Sequence, residues 1–184
     1  MVAELAAVDI FAAAFAADVF DRPGLQKAPH AAAEQFGGID VLEFSPSIAS
    51  APLTPVDIQA ATPDNVQPQI EFYLYGGMAA AEAVLPTMLE AGAGTLVFTT
   101  GGGSLQPVPY FGNVTAEMAA LRNWALNLGS VVSSNGIHVA HVAIGVWIGD
   151  TAPEGMPGMP ASEIAARYWE LHTTRSTHEL VVQK

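Results

Sequence analysis

GTLVFTTGGGSLQPVPYFGNVTAEMAALRNWALNL, Gly94 to Leu128, is the stretch whose reading decides the fold. Thr95 to Phe98 is a short apolar strand, Thr99-Thr100-Gly101-Gly102-Gly103 reads as a turn, Pro107 and Pro109 punctuate a loop, and a long helix is expected from about Gly112. Together they make one βα unit with a mouth of small residues. In open α/β sheets ligands bind beyond the carboxyl ends of parallel strands, so in a parallel sheet Thr99, Thr100 and the glycines line a crevice.

Composition narrows what such a unit can belong to. The chain has 184 residues, 51% of them apolar, which is ample for the core of one domain spanning 1–184. A formal charge of −12 with six dispersed Lys and Arg excludes nucleic acid as a partner, because binding it needs clustered cations. Apolar runs are interrupted well short of the ~20 residues of a spanning helix, so no membrane role is expected. Met1 to Ala17 is apolar, but Glu4 and Asp9 stand where a signal peptide carries basic residues, which makes the cytoplasm the default location. The absence of cysteine removes disulfides, thiolate nucleophiles and Cys-bound metals.

Before the central unit, Val2 to Ala7 reads as a helix tail, and Ile10 to Ala17 as a small-residue strand with a helix as the alternative. Asp21 suits the N-cap of the next helix with Pro23 in its first turn, and Pro29 shortens or kinks it. Phe36-Gly37-Gly38-Ile39-Asp40-Val41-Leu42 is a helix stopped by glycine and then a strand, Ile39 to Leu42. Ala51 to Pro68 is an irregular, Pro-rich connection with one short helix near Pro63 to Val66. Ile70, Leu74, Met78, Ala81, Leu85 and Met88 recur every three or four residues, predicting a helix from about Gln69 to Glu90.

After the central unit, Ile137 to Ile144 is a strand. His138 and His141 fall on its opposite faces and cannot share a metal, so they read as isolated histidines with satisfied hydrogen bonds, and no metal site is expected. Thr151 to Pro160 is a flexible loop, Ser162 to Leu171 a helix with Ser162 as N-cap, and Glu179 to Val182 a last strand. Gly103-Ser104 invites comparison with a serine-hydrolase elbow, but that turn needs a second glycine where Gln106 stands.

The whole pattern resembles the short-chain dehydrogenase/reductase family. The order strand, hydroxyl residues, loop and helix with Ala119-Ala120-Leu121-Arg122 carries the likeness, as does Phe36 to Leu42, which is close to the family's FGxIDVL followed by Asn-Asn-Ala-Gly. It implies a Rossmann-like three-layer α/β fold and NAD(P)-dependent hydride transfer between carbonyl and alcohol. Residue by residue, Thr100 takes the place of the family's Ser, Val114 of its Tyr, Met118 of its Lys and Tyr73 of its Asn. Hydride transfer leaves an alkoxide that needs a positioned acid, and neither an isopropyl group nor a thioether supplies a proton. Tyr110, one turn earlier, is a stand-in or a ring packed on the loop. Asp18 and Val19 match the strand end that flanks the cofactor's adenine, with a solvated turn as the other reading of Asp18. Phe44 and Ser45 replace the Asn-Asn, Gly145 keeps a loop glycine next to Ile144 in place of Pro, Thr151 is loosely at a nicotinamide contact, and Thr151 to Pro160 is where relatives carry a substrate lid. NAD or NADP is the implied cofactor, although no G-x-G-x-x-G follows an N-terminal strand and Gly101 to Gly103 matches the active-site loop instead.

The likeness begins about 60 residues into a typical member. The expected sheet therefore lacks the first two family strands and runs 3-4-5-6-7 with Ile10 to Ala17 beside Ile39 to Leu42, although a fragmentary gene model gives the same text. Relatives pair as dimers and tetramers, so the resemblance implies a homodimer or homotetramer through the 69–90 and 112–130 helices, where Met118, Leu121 and Trp124 serve either such a contact or the chain's own core. The readings that follow are a shortened dehydrogenase with impaired or absent activity and, alternatively, a non-catalytic α/β domain that binds a small molecule or another subunit.

Overall fold

The computed structural model describes residues 2–47 and 53–184. Its strands are β1 (Val41–Phe44), β2 (Gly94–Gly101), β3 (Ile137–Ile144), the two-residue pair β4 (Trp147–Ile148) and β5 (Gly158–Met159), and β6 (Glu179–Val182). The main sheet runs β1-β2-β3-β6, parallel throughout, with β2 and β3 in unbroken register from Gly94 opposite Ile137 to Gly101 opposite Ile144. Both central strands are near-continuous apolar runs because both of their faces are covered.

The helices are α1 (Val2–Ala6), α2 (Arg22–Phe36), α3 (Pro63–Ile70), α4 (Gly76–Ala91), α5 (Thr115–Val132) and α6 (Ala161–Thr174). Period-2 alternation divides the strands between two cores. Leu96, Phe98, Ile137 and Val139 pack against Val84 and Met88 of α4 and Leu121 and Ala125 of α5. Val97, Ala140 and Val142 face the other way, onto Ile164 and Leu171 of α6. Three layers, helix on sheet on helix, result.

The α/β class and the parallel sheet are as read from the sequence, but Ile10 to Ala17 is a correction. It forms no strand and joins no ladder, so among the described residues the sheet has four strands, in the places of 4-5-6-7. Alanine brings little apolar area to a pleated surface, and Ile10 and Phe11 stay 50% and 75% exposed. Its Phe11 ring instead meets Phe36 edge-on at the end of α2.

Boundaries moved where caps and glycines intervene. The first strand starts at Val41, two residues late, because Gly37 closes α2 in the left-handed region and Gly38 also has positive φ. Pro29 is accommodated inside α2, whose N-cap is Asp21 as expected. The short helix expected near Pro63 to Val66 is present as α3, started by a reciprocal capping box of Thr62 and Asn65, but it does not stop there: it runs through one π turn, Glu71–Tyr75, into α4, so it is continuous with the helix expected over 69–90. The expected irregular connection from Ala51 is therefore ordered helix after Thr62; its residues 51 and 52 lie outside the described part. α5 begins at Thr115 rather than Gly112, after a 3-10 turn over Pro109–Phe111. α6 begins after Pro160 with no side-chain cap, and Ser162, expected as N-cap, lies inside its first turn.

One close approach of backbone to backbone fixes the turns that lead into β2 and β3. Gly136, which leads into β3, has φ of 80°, and a Cβ there would sit 2.0 Å from the carbonyl oxygen of Gly92. Gly136→Ala therefore both strains the backbone and pushes apart the two turns that start β2 and β3. We expect it to lower unfolding free energy by at least about 2 kcal/mol in urea titrations, and an unchanged midpoint would contradict the packing described.

Candidate functional site

Among the described residues, the cavities beyond the carboxyl ends of β2 and β3 include two that share Gly101, Met118 and Ile144, and a third, of about 520 Å³, lies on the α6 side against Thr99 and Tyr168. The larger of the sharing pair, about 380 Å³, is walled by the glycine turn, Val114, Tyr110, Trp147 and Met156. The smaller, about 250 Å³, is bordered by Ser45, Tyr73, Thr99 and Thr100. Val114 is 2% exposed and Tyr73 is also buried, so the positions matched to the family's Tyr and Asn are closed by packed side chains. Burial pushes the Tyr73 hydroxyl up to about 12, which leaves it a neutral phenol.

Thr100 sits at the end of β2 with its hydroxyl 2.8 Å from His141 Nε2, and His141 Nδ1 is 3.2 Å from Glu179 Oε1. The register explains the meeting. Phe98 lies opposite His141 and His141 opposite Glu179, so Thr100, one pleat further on the same face as Phe98, reaches the imidazole. Arg122, from α5, grips the Glu179 carboxylate with Nε and Nη2. That bidentate hydrogen bonding holds the Glu179 carboxyl below the ordinary range, while burial, ahead of the opposing pull of Glu179, lowers His141. At neutral pH the array is hydroxyl, neutral imidazole and carboxylate.

The histidines therefore correct the sequence reading in part. They do point to opposite faces, but His141 is a member of a connected array, and His138 keeps its Nε2 buried with no hydrogen-bond partner. No group of three or more metal-ligating side chains occurs among the described residues. Among them, too, no helix is long and apolar enough to cross a membrane.

The other expected site residues scatter. Tyr110 is 61% exposed at the rim of the larger cavity, its ring against Phe111 at 4.5 Å. Gly145 lines that cavity and donates its N–H to Val182, and Ser45 lines the smaller one. Asp18 turns its carboxylate onto the Phe20 amide, Val19 packs against Gly76, Thr151 is exposed, and Phe44 is 7% exposed in the core beside Phe98. None of these four is in either cavity wall. Thr151 to Pro160 is less free than expected of a lid, because β4 and β5 tie it at both ends and Met156 and Pro157 lie against the larger cavity. Ser104 donates to the Gly101 carbonyl, away from any histidine.

Two polar clusters had no sequence signal. Asn113, fully buried, accepts from Val56 and donates to the carbonyls of Thr54 and Asn65, pinning the 53–57 segment over the start of α5. On the α6 face, Thr99 bridges Glu43 at 2.7 Å and the Tyr168 hydroxyl at 2.6 Å, and burial raises the Glu43 carboxyl. The long-range pairing of β1 with β2, which sets Glu43 near Thr99, and the packing of α6, which carries Tyr168, bring that cluster together.

The described residues do not themselves form a dinucleotide's phosphate cradle. Those phosphates need a glycine turn running straight into a helix N-terminus. Here the Gly101–Gly103 turn leads through a loop to a helix that begins at Thr115, and the Asp18 carboxylate accepts from the Phe20 amide.

These features define a parallel, Rossmann-like α/β domain with a crevice at its strand ends. The match of residues 1–154 to the model of the short chain dehydrogenases settles the family, and the chain belongs to it. It is an oxidoreductase-like protein by that membership, and short-chain dehydrogenases generally use NAD(P). Among proteins of curated function no match is found. Similar solved structures include an acetoin dehydrogenase from Enterobacter cloacae, 22% identical at a TM-score of 0.85, which covers 98% of this chain and 77% of its own. A second acetoin dehydrogenase, from Salmonella typhimurium, is 20% identical at 0.85 over 98% of this chain and 78% of its own. A short-chain dehydrogenase from Rhodopseudomonas palustris is 22% identical at 0.82, covering 100% and 79% respectively. At these identities the likeness is one of fold.

His138 supplies a test of the sheet's interior. Burial first, then the charges of His178, Arg175 and His172, lower it to about 4, against 6.5 in a free chain. Between those two values the unfolded chain takes up a proton that the folded chain refuses, so stability falls as pH falls through that window. Relative to His138→Gln, the wild-type chain should lose on the order of 2 kcal/mol more stability between pH 7 and 4.5. Equal losses in urea titrations at the two pH values would show that His138 titrates normally.

Proposed function

We propose that this chain is a short-chain dehydrogenase family member that binds a small, neutral, largely apolar molecule and does not by itself carry out NAD(P)-dependent hydride transfer. One observation carries this reading: Val114 and Met118, at the positions where the family places its proton donor and its partner, both line the larger cavity and offer no titratable group. The cavity walls are glycine backbone, aliphatic and thioether side chains and the rings of Tyr110, Phe111 and Trp147, a lining that selects an uncharged ligand with an apolar body. A formal charge of −12 further disfavours anions. Val131 of α5 and Leu89 of α4 remain 71% and 38% exposed, which supports self-association along these helices as part of the same proposal.

Titration calorimetry with NADH and NADPH should show no heat of binding up to millimolar concentration, and a micromolar dissociation constant for either would restore the dehydrogenase reading. The neutral fluorophore N-phenylnaphthylamine should bind the wild-type chain. Trp147→Ala, which removes one half-exposed aromatic wall, should weaken it about three- to tenfold. Equal affinity would place the apolar site elsewhere.

A further inference from the structure

We propose that Thr100, His141 and Glu179 act as nucleophile, base and positioning carboxylate in the hydrolysis of small, uncharged esters, an activity that goes beyond the binding role above. The three groups are joined in the order such chemistry requires: hydroxyl to Nε2 at 2.8 Å, Nδ1 to carboxylate at 3.2 Å. Each comes from a different strand of one rigid parallel sheet, so the geometry is fixed by the ladders β2-β3-β6 and not by a mobile loop.

A core histidine needs only to have its two nitrogens satisfied, and a threonine and a backbone carbonyl suffice for that. Here one nitrogen is turned to a carboxylate that is itself clamped by Arg122, and the other to a hydroxyl whose residue borders the ligand crevice. The carboxylate fixes the tautomer with the proton on Nδ1, which leaves Nε2 free to accept the threonine proton. Thr100 also adjoins the Gly101–Gly103 turn, whose side-chain-free backbone lets a carbonyl approach, and the apolar cavity beyond accommodates the acyl or alkoxy body of a substrate.

In the first step Thr100 Oγ1 bonds to the ester carbonyl carbon as its proton passes to His141 Nε2. The C–O bond to the alcohol then breaks, the departing oxygen takes that proton from His141, and Thr100 is left acylated. A water molecule repeats the sequence: its proton goes to His141, its oxygen to the acyl carbon, and the acid leaves as Thr100 regains its proton. No oxidant, metal or nucleotide enters the balance.

The test is covalent labelling of the full chain with an alkyl fluorophosphonate, in which Thr100 Oγ1 displaces fluoride from phosphorus. A single adduct located on Thr100 by peptide mass spectrometry is the expected result. Thr100→Val should abolish it, and Thr100→Ser, which keeps the hydroxyl and removes the hindering methyl, should label at least as fast as wild type. His141 is faced by Thr100 from β2, Glu179 from β6 and Arg122 from α5. Glu179→Gln should slow labelling at least tenfold and move the midpoint of its pH profile downward, since the imidazolium loses its counter-charge. No adduct, or an adduct at any other residue, overturns the proposal, as does an unchanged rate or pH midpoint in Glu179→Gln. The adduct's position is read on the wild-type chain, so it decides even if Thr100→Val does not fold, and no nucleotide is involved, so failure here leaves the binding reading untouched.

Discussion

The parallel pairing of β2 with β3 is the constraint on which the rest depends. Eight consecutive residue pairs, buried almost from end to end, set the phase of every side chain on the two strands. A slip of one residue would exchange the two faces and send Phe98 and His141 to the α6 side. The two different apolar layers hold that phase: the mostly small residues of α4 and α5 leave room for Leu96, Phe98 and Val139, and Ile164 and Leu171 of α6 pack on Val97 and Val142. The glycines at the strand starts let the ladder begin level, and the glycines at the ends leave room for a crevice.

That phase has chemical consequences on both faces. On the α4 and α5 side it carries Thr100 to His141 and His141 to Glu179, where Arg122 completes a buried polar line that ends at the surface. On the α6 side it brings Thr99 between Glu43 and Tyr168. Two adjacent threonines thus serve two unrelated networks because successive side chains of a strand leave opposite faces. Meanwhile the loop and helix after β2 fill the crevice with Val114 and Met118, and the pocket becomes apolar where the family's chemistry requires a proton donor.

Much of the architecture was legible in the sequence because it is local. Gly94 to Leu128 announces strand, turn and helix; Ile137 to Ile144 was read to the residue; Asp21 and Gly37 cap α2 as their types predict. Where local and distant terms compete, the reading failed. Ile10 to Ala17 was assigned a strand from its place in the family pattern, but a strand exists only with a partner, and alanines give the sheet edge little to hold. The short helix at Pro63 is legible from the sequence, but Pro68 hides that it runs on through the π turn at Tyr73 into α4. His141 was the larger omission. Its spacing from His138 correctly ruled out a shared metal, but its partners Thr100 and Glu179 lie 41 and 38 residues away, and only strand register unites them. Matching side-chain parity across β2, β3 and β6 is the signal that would have found the array.

We propose that this family's architecture persists here around a crevice that does not serve a nicotinamide cofactor. The amide NMR spectrum of the chain, recorded during addition of NADPH to millimolar concentration, tests it most directly. The account predicts that resonances of Asp18, Ser45, Gly101 and Gly145 stay in place; saturable shifts at those four positions would contradict it.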